Sequence, residues 1–98
     1  MGADFIGEVL AVFTADAPEL LRQLQQALAD NDSECFRRAA HSLKSNAAAF
    51  GAVTLAELAR ELEMLGKEGC QAGAGEKVAQ AEAEYQRVQQ ALKELTES

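Results

Sequence analysis

The chain has 98 residues, the length of one domain, and 48% of them are hydrophobic, which argues against a disordered chain. Alanine, leucine, glutamate and glutamine dominate and there is a single proline, Pro18, a composition that favours helix throughout. The net charge of −7 argues against nucleic acid as a partner, because phosphate backbones need a basic footprint, and against docking on an anionic membrane.

Five helical segments are predicted. The first, residues 4–15, carries Phe5, Ile6, Val9, Leu10, Val12 and Phe13 on a wide apolar face, and is expected to pack as a short additional helix. Asp16-Ala17-Pro18-Glu19 then reads as a new helix start. Asp16 can cap, Pro18 suits a first turn, and Glu19 stands where a capping box needs it. The second helix reaches residue 29 on a stripe of Leu20, Leu21, Leu24, Ala27 and Leu28, and Asp30-Asn31-Asp32 ends it and supplies the next cap. The third helix covers residues 33–50 and is terminated by Gly51, a natural left-handed position.

The fourth helix starts between residues 52 and 54. Thr54 and Glu57 have capping-box spacing, and Val53 is placed to staple onto Leu58. Its stripe is Leu55, Leu58, Ala59, Leu62 and Leu65, and Gly66, Gly69, Gly73 and Gly75 mark the following loop, with frayed helix able to run on as far as Cys70. The last helix covers residues 76–96, where Val78, Ala81, Tyr85, Val88, Leu92 and Leu95 repeat at bundle spacing. No strand pattern competes. Connections of about two to eight residues between amphipathic helices imply antiparallel neighbours. The predicted fold is all-α, an up-down antiparallel four-helix bundle with a short additional N-terminal helix, forming one domain over residues 1–98.

His41 is the one histidine. At 100° per residue, Phe36, Ala39, Ala40, Leu43, Ala47 and Phe50 share an arc of about 100°, and His41 lies about 160° from Leu43 on the polar side. Its neighbours there are Glu34, Arg37, Arg38, Lys44, Ser45 and Ala48. Arg37, Arg38 and Lys44 are three of nine basic residues in an acidic chain, so a basic island surrounds the imidazole. A phosphoryl-accepting histidine needs an exposed ring nitrogen, a largely neutral ring, a nearby cation and small neighbours that admit a partner. Lys44 at i+3 supplies the cation, while Ser45 at i+4 and Ala48 at i+7 keep the approach open. Arg37, at i−4, is placed to screen charge from the other side.

His41-Ser42-Leu43-Lys44-Ser45, followed by small residues and Gly51, resembles the signature of histidine-containing phosphotransfer (HPt) domains. Length, helix count and the position of the histidine agree, so the resemblance covers essentially the whole chain. It implies His41 as phosphoacceptor, Lys44 as phosphate-stabilising cation and Ser45 at the small access position. It also implies relay between the aspartates of response-regulator receiver domains, in the same chain or separate ones. Two positions depart from the usual pattern: Ser45 where glycine is frequent, and Asn46 where a small residue is usual. Arg37, Arg38 and Ala48 are expected to serve docking.

The chain has no Gly-rich nucleotide loop and no acidic trio, so no cofactor of its own is expected, it is not a complete kinase, and Mg²⁺ belongs on the receiver partner. Cys35 and Cys70 lack C-x-x-C spacing and read as reduced thiols of a cytosolic protein rather than metal ligands. There is no signal peptide and no apolar run near about 18 residues. Glu57, Glu61, Glu68, Glu82 and Glu84 read as solvated surface. A monomeric cytoplasmic protein without direct membrane contact is expected. The start almost directly in a helix favours an excised domain, such as the cytoplasmic end of a hybrid sensor kinase. Two other classes stay open: a non-catalytic interaction or adaptor bundle, and a structural or dimerising helical domain.

Overall fold

A computed structural model describes the backbone of residues 2–69 and 73–97 and the side chains of residues 13–69 and 73–94. The side chains of Phe5, Ile6, Val9, Leu10, Val12 and Leu95, and all of Cys70, lie outside the described residues. The chain forms four helices: α1 (Gly2–Ala29), α2 (Ser33–Phe50), α3 (Val53–Lys67) and α4 (Ala74–Glu97). Among the described residues each helix packs on its sequence neighbours, and α4 closes the ring against α1. The result is an antiparallel four-helix bundle, 45 × 19 × 18 Å. The core is built from the stripes: Leu21, Leu24 and Ala27 of α1, Phe36, Ala40, Leu43 and Ala47 of α2, Leu55, Ala59 and Leu62 of α3, and Val78, Ala81 and Tyr85 of α4.

The predicted break at Asp16–Pro18 does not occur, and the short N-terminal helix and its successor are one helix with Pro18 inside it. An interior proline removes one intrahelical hydrogen bond and crowds the preceding turn. Packing outweighs that cost. Phe13, Ala17, Leu21 and Leu24 continue one stripe through the proline and are all buried. Phe13 stacks on Phe50, with ring centroids 4.5 Å apart, and meets Tyr85 at 5.3 Å. Breaking the helix at residue 16 would take Phe13 off that stack.

The α1–α2 turn places Asn31 at φ 57°, and Asp32 caps α2 by accepting a hydrogen bond from the Cys35 amide at 3.1 Å. Gly51, at φ 86°, ends α2 as expected. The amides of Gly51 and Ala52 return to the carbonyls of Ala48 and Ala47, at 3.1 and 2.8 Å. That turn delivers the chain directly into α3, so the cap is Ala52 without a side-chain hydrogen bond, and the capping box expected at Thr54 is not used. Val53 is 71% exposed rather than stapled onto the helix.

The helix runs past the first loop glycine and ends at Lys67, so Gly66 lies in the last turn of α3, buried against α2. A Cβ there would stand 2.8 Å from Arg37 Cα, a backbone atom with no freedom to step aside. Gly66→Ala sets two effects against each other. Alanine gains about 1 kcal/mol of helix propensity over glycine, while forced overpacking costs about 1–3 kcal/mol. The overpacking should win, so the variant is expected to unfold at lower urea concentration than the wild type. An unchanged or raised midpoint would show that the α2–α3 contact is looser than described.

Candidate functional site

The site is built across the α2–α3 contact. On α2, Leu43 marks the core and Lys44 is displaced about 100° from it, toward α3, while His41 points further out. The His41 side chain is 57% exposed. Ser45 and Ala48 are exposed on the same face of α2. The polar-side placement read from the sequence therefore matches the fold.

Glu63 of α3 completes the cluster, and it was not among the expected site residues. It is 8% exposed, the one buried charged side chain among the described residues. One carboxylate oxygen, Oε1, accepts a hydrogen bond from Lys44 Nζ at 2.8 Å. The other, Oε2, lies 3.0 Å from His41 Nδ1. A buried carboxylate is costly unless it is paired and hydrogen-bonded, and here both oxygens are engaged. The hydrogen bond from Lys44 holds the Glu63 carboxyl below its ordinary range, burial opposes this, and the His41 hydrogen bond adds to it. Glu63 is therefore an anion at neutral pH and accepts at both oxygens. In the neutral ring that selects the tautomer: Nδ1 carries the proton, and Nε2 at the far edge has the lone pair.

Arg37 and Arg38, adjacent in sequence, sit on opposite flanks of α2. Arg37 lies on the α3 side, its backbone against Gly66, and its guanidinium bonds Glu34 at 2.6 Å. That pairing raises the Arg37 pKa further. Arg38 is on the α1 side, where it lines a groove with Arg22, Gln26 and Cys35. The basic island is thus divided, and Lys44 is the cation joined to the His41 cluster through Glu63. Asn46 lines a shallow depression with Ser42, Asp16 and Glu19, also on the α1 side. Cys35 is exposed, and the hydrogen bond between its thiol and Asp32 pushes the thiol up, away from the reactive thiolate. Glu84 is less solvated than the sequence implied, with 13% of its side chain exposed and Arg87 bonded to it. Glu61 of the same surface set pairs with Lys77 across α3 and α4. Among the described residues no group of histidine, cysteine and carboxylate side chains is placed to hold a metal ion.

An exposed imidazole with a chosen tautomer, a cation three residues on, and small side chains around it, all on one face of a four-helix bundle, define a phosphoryl-accepting module. The Hpt domain family matches residues 8–91, and the chain belongs to that family of phosphorelay intermediates. It is 41% identical over 63 residues to the sensor protein TorS of Escherichia coli (strain K12), a match covering 64% of this chain and 7% of that protein. It is also similar to the crystal structure of histidine-containing phosphotransfer protein B (HptB) from Pseudomonas aeruginosa PAO1. The TM-score is 0.87 with 34% identity, covering 91% of this chain and 77% of that one. These likenesses favour the relay reading over a non-catalytic adaptor bundle.

Proposed function

We propose that the chain carries a phosphoryl group between receiver-domain aspartates, with His41 Nε2 as the acceptor atom. The observation that carries this reading is the hydrogen bond of Nδ1 to the buried Glu63, which leaves the lone pair on the outward nitrogen. In the accepting step Nε2 bonds to phosphorus as the acyl-phosphate P–O bond breaks, and the electron pair stays on the donor aspartate. Such a transition state is loose and is helped by positioning and charge. Lys44, with a third of its side chain exposed, is within reach of the incoming oxygens. Ser45 and Ala48 leave room for the partner, and Arg37 and Arg38 border this docking face on its α3 and α1 sides. Mg²⁺ is supplied by the receiver.

The protein acts in the cytoplasm as a monomer, without nucleic acid or direct membrane contact. No helix among the described residues is long and apolar enough to cross a membrane. The same module serves a separate carrier or the end of a longer sensor chain. The test is incubation with a radiolabelled phospho-receiver. Acid-labile, alkali-stable label should move to this chain and then to a second receiver, and no transfer from any receiver of the source organism would sink the reading. Lys44→Ala should slow transfer by about a hundredfold, the lower end of what loss of one charge-stabilising donor costs, because the side chain is partly exposed. Its helicity by circular dichroism should be unchanged. Transfer kinetics equal to wild type would remove Lys44 from the mechanism.

A further inference from the structure

Glu63 lies 3.0 Å from His41 Nδ1, on the side of the ring away from the acceptor nitrogen. We propose that its carboxylate keeps Nδ1 protonated once Nε2 is phosphorylated, so that the phosphoryl group departs from a neutral imidazole and the carrier is held in its labile form. The proposal rests on the reading of His41 as phosphoacceptor. Its geometric basis is the two-point fixing of Glu63, by Lys44 Nζ at 2.8 Å and by the ring at 3.0 Å, from a buried position on another helix. The carboxylate cannot swing away with solvent as a surface glutamate would.

The bonds balance without a proton leaving the site. On acceptance, the Nε2 lone pair forms the N–P bond and the ring becomes a phosphoimidazolium, its Nδ1–H still donated to Glu63. On donation, the acceptor aspartate oxygen bonds to phosphorus, the N–P electron pair returns to Nε2, and the ring is again the neutral Nδ1–H tautomer. If Nδ1 lost its proton in between, the leaving group would be an imidazolate anion. Departure would then wait for a proton from solvent.

The charges around the ring show why an anion is needed there. Lys44 and Arg37 of α2 both oppose a positive ring, Arg37 less so because Glu34 of the same helix pairs with it. From α3, Glu63 is in hydrogen-bond contact with it. From α1, Asp16 and Glu19 line the depression beside Ser42 and Asn46, on the other flank of α2. Among the described residues α4 packs on α1 and α3 but not on α2. The phosphoryl group itself adds negative charge. It also draws Lys44 toward its own oxygens, which leaves more of the Glu63 charge to Nδ1–H.

The experiment loads the intact protein with phosphoramidate, a small donor that bypasses any receiver. Loss of phosphohistidine is then followed by phosphorus NMR across the neutral pH range, and Nδ1 protonation by nitrogen NMR. Glu63→Gln keeps shape and removes the charge. Its hydrolysis midpoint should fall by about one pH unit, the effect of losing one close opposite charge. Above both midpoints its phosphohistidine should therefore last about ten times longer. Lys44→Ala, which leaves Glu63 to the ring alone, should move the midpoint upward. Phosphohistidine that forms in wild type and Glu63→Gln with the same midpoint overturns the proposal and leaves the acceptor role of His41 standing. A wild-type protein that takes no phosphoryl group at His41 overturns both.

Discussion

His41→Gln is expected to remove phosphoryl acceptance altogether while leaving the bundle folded. The ring is more than half exposed and makes one side-chain hydrogen bond, to Glu63. A glutamine amide can donate to the same carboxylate, and exposed substitutions of this kind change stability by about 0.5 kcal/mol or less. No other group in reach substitutes for the nucleophile. Among the described residues neither the Ser42 nor the Ser45 hydroxyl is hydrogen-bonded to a carboxylate or imidazole, although Asp16 and Glu19 share a depression with Ser42, and the Cys35 thiol is pushed up by Asp32. Loss of the sole nucleophile should lower transfer by at least about a thousandfold. The paired measurements are label from a phospho-receiver and a thermal melt. Acid-labile label retained on a folded variant would place the phosphoacceptor elsewhere.

The exposed half of the site was legible because α2 is cleanly amphipathic. Its apolar arc fixes Leu43 inward, and His41, Ser45 and Ala48 follow on the other side. The buried half was not. Glu63 is 22 residues from His41, and a hydrogen bond at that separation depends on how two helices are aligned, which no single-helix periodicity contains. A trace of it exists in the sequence. On the α3 wheel Glu63 stands about 100° from Leu62, beside Ala59 and Gly66, at the edge of the apolar arc. A carboxylate among small residues on a packing face needs a partner, and Lys44 holds the matching position on α2. The same closeness explains Gly66, which reads locally as a loop signal and serves instead as the point where α3 meets the Arg37 backbone. Arg37 and Arg38 look like one patch in the sequence, but they are about 100° apart on the helix and fall on different flanks. At Pro18 the local signals for a helix start were correct in kind and overridden by the stripe that runs past them.

Phe13→Ala should be the most destabilising of these substitutions without touching the chemistry. Phe13 is 1% exposed, lies nearly parallel to Phe50 at an interplanar angle of 10°, and packs on Tyr85. Truncating a buried phenylalanine costs about 3–5 kcal/mol, from lost transfer energy and the cavity left behind. A domain of this size has about 5–15 kcal/mol in total. The corresponding fall in Tm is roughly 10–30 °C. Phe50 is nine residues beyond His41, about 13 Å along α2, so the aromatic cluster and the transfer site occupy different levels of the bundle. At a temperature where the variant is still folded, its rate of phosphoryl acceptance should match the wild type. Its midpoint in urea should be far lower. A cost below about 1 kcal/mol would mean that Phe13 is not held in the core, because a buried aromatic cannot be removed so cheaply. The helix would then gain nothing by continuing through Pro18. A large loss of stability together with a slowed transfer rate in the folded state would couple the two ends of α2. Only a change in the α2–α3 alignment, acting through Glu63, would account for that.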